Sequence, residues 1–151
     1  MKRLVIFALF LVLFASKLFA QSTEQDLVKS VVNKLFTGMR TGDSTVARSA
    51  FAKESLMQTI VNKDGKVLVR TESVNAFLKI IGTPHKGKYD ERIVFTKILI
   101  DGSLASVWTD YKFYVDDKFS HCGVNSFQLV KGEEGWQIVY VIDTRRKDSC
   151  N

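Results

Sequence analysis

The chain has 151 residues, with 22 basic side chains against 16 acidic ones and a formal charge of +6. Its 46% hydrophobic content, nine glycines and single proline exclude a disordered or low-complexity protein and fit one domain with a real core. The basic residues are scattered, with Arg145-Arg146-Lys147 as their one cluster, which argues against a nucleic-acid-binding face.

Residues 1–20 read as a cleavable signal peptide. Lys2 and Arg3 form a positive start, Leu4 to Ala15 an apolar run, and Leu18-Phe19-Ala20 ends on a small residue suited to signal peptidase. The run is about a dozen residues, short of the roughly 20 that span a bilayer, and Lys17 interrupts it, so cleavage is favoured over an anchor helix. Gln21 stands where a lipoprotein needs Cys. The predicted mature protein, residues 21–151, is therefore a single domain that is periplasmic or secreted, with no stable membrane insertion. Lys2, Arg3 and Lys17 leave with the leader, so 22 basic residues fall to 19 against 16 acidic, a net of +3. Outside the cytoplasm nucleotide cofactors are scarce, and no cofactor is expected. An oxidising compartment permits one disulfide between Cys122 and Cys150. No metal site is expected, because His121 and Cys122 are adjacent and point to opposite faces of a strand.

Helices come first. Ser22 or Thr23 can cap a helix whose stripe is Leu27, Val28, Val31, Val32, Leu35, Phe36 and Met39. Gly42 stops it, and Asp43 caps a shorter helix running to about Ala52. A hairpin pairs Leu56–Val61 with Val67–Arg70 around Asn62-Lys63-Asp64-Gly65. A third helix shows Val74, Phe77, Leu78 and Ile81 on one face and ends at Gly82, with Pro84 just beyond. Strands follow over Ile93–Ile100, Leu104–Val115, Phe119–Val130 and Trp136–Arg145. His85 reads as an exposed loop residue. This order predicts an α+β domain, its N-terminal helices packed on one face of a curved antiparallel sheet.

Pairing Val115 with Phe119 and Val130 with Trp136, the tightest registers, sorts the last three strands into two faces. One face carries Val107, Phe127, Leu129, Val139 and Val141 at an apolar end, and Tyr111, His121, Asn125, Asp143 and Arg145 at a polar end. The row Tyr111, Gly123, Asp143 is expected to run straight across, with Gly123 either marking a bulge or leaving room for a ligand. The other face carries Trp108, Tyr114, Cys122, Val124, Trp136, Ile138, Tyr140 and Ile142. Such an apolar sheet face is either covered by more of the chain or meets a partner, and a homodimer, sheet against sheet, is the favoured reading.

The Thr41-Gly42-Asp43 helix exit, the Asp64-Gly65 hairpin leading into a third helix and the closing Gly135-Trp136-Gln137-Ile138-Val139 resemble the nuclear transport factor 2 family. The chain is most similar to its small lumazine-binding-like and polyketide-cyclase-like bacterial members. The resemblance implies a cone-shaped, cystatin-like fold with a deep pocket between sheet and helices, and often a dimer. Its members include isomerases, dehydratases and cyclases as well as non-catalytic binding or adaptor domains, and it carries no catalytic residues onto this chain.

Three functions are open. The first is a domain that binds a small apolar or amphipathic ligand through Tyr111, Asn125, Gly123 and Arg145. The second is an enzyme of isomerase, dehydratase or cyclase type in which His121, oriented by Asp143, transfers a proton. The third is a protein-interaction dimer whose pocket is filled core. An Asp143–Arg145 pair would satisfy both residues without chemistry.

Overall fold

A computed structural model describes residues 23–84 and 87–150. The leader reading for residues 1–20, the Ser22 cap and His85 lie outside these described residues. No helix among them is long and apolar enough to cross a membrane.

Helix α1 (residues 23–41) turns Val28, Val32, Leu35 and Met39 into the core, with Val31 and Phe36 packed beside them. Leu27, expected on the same stripe, lies at its edge and is 48% exposed. The Glu24 carboxylate ties the start of this helix to the sheet, accepting from Trp136 Nε1 at 2.9 Å and Lys131 Nζ at 2.8 Å. Gly42 takes φ +71°, the left-handed conformation of a helix stop. Asp43 then caps α2 (Ser44–Arg48), accepting from the amides of Thr45 and Val46 at 2.9 Å each. This helix ends four residues before the expected Ala52, because Phe51 is already paired with Ile138 in the sheet.

The strands are β1 (Phe51–Lys63), β2 (Lys66–Glu72), β3 (Tyr89–Asp101), β4 (Leu104–Val115), β5 (Lys118–Gly132) and β6 (Gly135–Thr144). Helix α3 (Val74–Gly82) lies between β2 and β3 and buries Val74, Leu78 and Ile81. Asp64-Gly65 and Asp116-Asp117 make two-residue hairpin turns with positive φ at both positions, the twist that suits a hairpin. The sheet order is β2-β1-β6-β5-β4-β3. Every junction is antiparallel, as expected, except β1–β6, which is parallel and makes the sheet mixed. β6, the last strand in the chain, thus sits at the centre of the sheet.

Bulges correct the expected registers. Val115 pairs with Lys118 rather than Phe119, and a bulge between Phe113 and Tyr114 restores the predicted Tyr111–Gly123 pair. At the β5–β6 hairpin, Lys131 rather than Val130 faces Trp136, so Trp136 and Ile138 turn into the core, 5% and 0% exposed. They do not lie on the outer face with Trp108. A second irregularity, centred on Val139, then returns Val141 and Asp143 to the inner face. Its net effect is to place Asp143 opposite Asn125, two residues beyond the expected Gly123.

Cys122 and Cys150 are joined by a disulfide with Cα atoms 5.9 Å apart. Two 2.9 Å backbone hydrogen bonds between Cys122 and Arg146 dock the C-terminal segment on β5 in the same place. Cys122 is therefore covered by the tail rather than open on the outer face. Replacing Cys150 by Ser should lower stability by about 2–4 kcal/mol, seen as an earlier urea midpoint with unchanged far-ultraviolet circular dichroism.

Candidate functional site

Between the inner face of the sheet and helices α1 and α3 lies a cavity of about 300 Å³. Its apolar wall includes Leu35, Phe36 and Met39 from α1, Phe77 and Ile81 from α3, and Phe113, Phe127 and Val141 from the sheet. Its polar wall brings together Tyr111, His121, Asn125, Asp143 and Arg145, the residues expected from the sequence, and adds Glu72 and Glu91. Ile80 and Arg145, both exposed, mark its mouth.

Gly123 shapes this wall without lining it. A Cβ there would overlap the carbonyl oxygen of Thr144 and crowd the Tyr111 ring. The bare backbone lets β6 pass close enough for the Tyr111 hydroxyl to donate to that carbonyl at 2.8 Å. The room at Gly123 is thus taken by the chain itself rather than by a ligand. The same hydroxyl lies 3.3 Å from Asp143 Oδ2. Burial and the neighbouring carboxylates push the Tyr111 phenol far up, so it stays protonated throughout the physiological range.

His121 and Asp143 do not form the expected pair, and no hydrogen bond joins them. The register shift at Val139 places Asp143 beside Asn125, where Arg145 Nε donates to Asp143 Oδ2 at 2.9 Å. His121 instead has Nδ1 3.1 Å from the Ser120 hydroxyl and its ring against Phe113 and Tyr111, at 4.9 and 5.7 Å between centroids. Desolvation, followed by the charge of Arg145, lowers its pKa, against a smaller opposing effect of Asp143. At neutral pH it is an uncharged imidazole packed among rings.

Glu91 joins this wall without being among the residues expected there. Strand β3 begins at Tyr89, four residues before the expected Ile93, so alternation puts Tyr89, Glu91 and Ile93 on the inner face opposite Val115, Phe113 and Tyr111. Read backwards from Ile93, period-2 spacing would have found it, but the charged run Asp90-Glu91-Arg92 looks like a turn. Asn125 Nδ2 donates to Glu91 Oε1 at 2.8 Å and lies 3.4 Å from Thr109 Oγ1. Desolvation by the cavity walls raises the Glu91 pKa to about 7, with the Asn125 hydrogen bond opposing and the charge of Asp143 assisting. A carboxylic acid that changes charge near neutrality inside an apolar cavity can bind, donate or accept a proton.

The sequence matches the family described as "Putative lumazine-binding" over residues 23–141. The chain belongs to this family. No curated protein matches it. Among solved structures it is similar to an NTF2-like protein of unknown function from Shewanella baltica OS155. That match has 22% identity and a TM-score of 0.65, covering 84% of this chain and 97% of that one. An NTF2-like protein with a cystatin-like fold from Novosphingobium aromaticivorans gives 11% identity and a TM-score of 0.66, with 90% of each chain covered. A cystatin-like domain of unknown function from Nostoc punctiforme PCC 73102 gives 16% identity and 0.65, covering 84% of this chain and 80% of that one. At these identities the likeness is one of fold: helices on a curled sheet, of the NTF2-like, cystatin-like kind.

Glu91 has a consequence for stability. Its folded pKa lies above the ordinary carboxylate value of 4.5, so the folded state holds a proton that the unfolded chain has released between those two values. Glu91 therefore costs stability as pH rises from about 4.5 to about 7, by no more than about 3 kcal/mol. Glu91→Gln should remove that loss: relative to wild type its urea midpoint should rise as pH goes from about 5 to about 8. An unchanged difference between the two proteins across this range would refute the buried-acid assignment.

Proposed function

We propose that this protein is an exported small-molecule-binding domain whose cavity holds an amphipathic ligand. The apolar body would lie among Phe36, Phe77, Phe113 and Phe127, and the polar end against Glu91, Asn125, Asp143 and Arg145. The observation that carries this reading is the cavity itself: an apolar chamber with polar groups gathered at one side, the usual form of a ligand site. Membership in the family described as "Putative lumazine-binding" supports a small ligand. Export to the periplasm or beyond is supported by the leader-like residues 1–20 and by the Cys122–Cys150 disulfide.

A second reading is proton-transfer catalysis of isomerase, dehydratase or cyclase type. What favours it is Glu91, with its pKa near neutrality, rather than the separated His121 and Asp143. The ligand experiment distinguishes the two, because a binding protein returns its ligand unaltered and an enzyme returns a product.

We also propose that the outer sheet face pairs two copies of the chain. Val94, Leu99 and Trp108 are 64%, 56% and 48% exposed there, large apolar side chains set side by side on β3 and β4.

Two measurements test these readings. Native mass spectrometry of protein purified from its own host should reveal a bound small molecule, and Ile80→Trp, which plugs the mouth, should lose it with little change in melting temperature. Retention of the molecule by the plugged variant would place its site elsewhere. In light scattering the wild type should run as a dimer and Trp108→Glu as a monomer; a monomeric wild type would end the pairing proposal.

A further inference from the structure

Three donors of the polar wall are engaged, Tyr111 by Thr144 and Asp143, Asn125 by Glu91 and Thr109, and Arg145 Nε by Asp143, while the terminal nitrogens of Arg145 remain. On the acceptor side two carboxylate oxygens are open. Glu91 uses Oε1 for Asn125, and Asp143 receives both of its partners on Oδ2. Glu91 Oε2 and Asp143 Oδ1 therefore have no donor among the described residues, and neither is sealed off as a buried unpaired atom. The charges lean the same way. Glu72, Glu91 and Asp143 line the cavity against the single guanidinium of Arg145, and α1 and α3 contribute only apolar side chains to it.

Resting on the binding reading above, we propose that the cavity selects a ligand with a protonated amine on an apolar body. An ammonium brings three donors and no acceptor, which complements two open carboxylate oxygens. Charge-assisted hydrogen bonds of this kind are among the stronger ones, more so where water is excluded. A carboxylate head could meet only Arg145, already paired with Asp143, and would add its charge to those of Glu72, Glu91 and Asp143. A hydroxyl offers one proton and no charge. The phenyl rings of Phe36, Phe77, Phe113 and Phe127 suit an apolar or aromatic body beside that head.

The wall also gives the selection a pH signature. Glu91 is faced by Asp143 and Arg145 from the β6 end, Tyr111 from β4, Asn125 and His121 from β5 and Glu72 from β2, and by no charged group of the helices. Its carboxyl loses a proton near neutrality, so amine binding should strengthen from about pH 6 to about pH 8, while a ligand that accepts a proton from Glu91 should weaken over the same range.

Titration calorimetry of the disulfide-bonded protein with three matched probes tests this: 2-phenylethylamine, 2-phenylethanol and 3-phenylpropanoate. The amine should bind about tenfold tighter than either other probe at pH 8. Glu91→Gln, which keeps the size of the side chain and can still accept from Asn125, should erase that preference, so that amine and alcohol bind within about twofold of each other. Equal binding of amine and alcohol, a carboxylate that binds tightest, or a preference that survives Glu91→Gln would overturn the amine proposal and leave the cavity a binding site. Failure of all three probes to bind would overturn the binding reading along with it.

Discussion

The carboxylate that β6 brings to the cavity depends on the irregularity of that strand at Val139. Side chains alternate along a strand, so one extra residue turns over all that follow it. Before it, Trp136 and Ile138 point into the core; after it, Val141 and Asp143 do so. Without that step a regular strand that buries Trp136 would send Asp143 to the outer face. The bulge lets one strand serve two needs, with an aromatic anchor at one end and a carboxylate wall at the other. The Glu24–Trp136 hydrogen bond holds the first, and the Tyr111–Thr144 hydrogen bond holds the second.

The polar wall is a compact case of desolvation deciding chemistry. Glu91, Tyr111 and His121 all shift toward their neutral forms, and in each the largest cause is burial. Beside them Asp143 is paired with Arg145, two residues along the same strand line. One wall thus keeps a paired carboxylate beside one poised to change charge. That contrast gives the cavity a polarity, with its apolar end under the helices and its acceptors under β3 and β6.

Much of this architecture can be read from the amino acids. The stripe on α1, the Asp43 cap, the bounds of β4 and the pairing of Tyr111 with Gly123 follow from periodicity and turn chemistry. Tyr111, His121, Asn125, Asp143 and Arg145 do converge on one cavity. What periodicity could not carry was a change of phase inside a strand. The bulge at Val139 leaves no signature in Gln137-Ile138-Val139-Tyr140, so unbroken alternation aligns Asp143 with Gly123 and points it at His121. Glu91 was hidden for another reason. Three consecutive charged residues look solvated, yet alternation splits them, and only the middle one enters the cavity. The parallel seam between β1 and β6 was equally invisible, since it joins residues more than eighty positions apart, such as Phe51 and Ile138.

That seam has a kinetic side. β1 and β2 can form a hairpin as soon as they are made, and β3, β4 and β5 can grow as a meander through short turns. Neither ladder touches the other in the finished sheet except through β6. The two must therefore wait, each with a raw edge, for the last strand to slot between them. Closing so large a loop makes folding slow, and it leaves the unpaired edges exposed to other chains in the meantime. If the chain crosses a membrane as it is made, that interval falls on the far side, where assembly of the sheet, closure of the cavity and oxidation of Cys122 and Cys150 would be completed together.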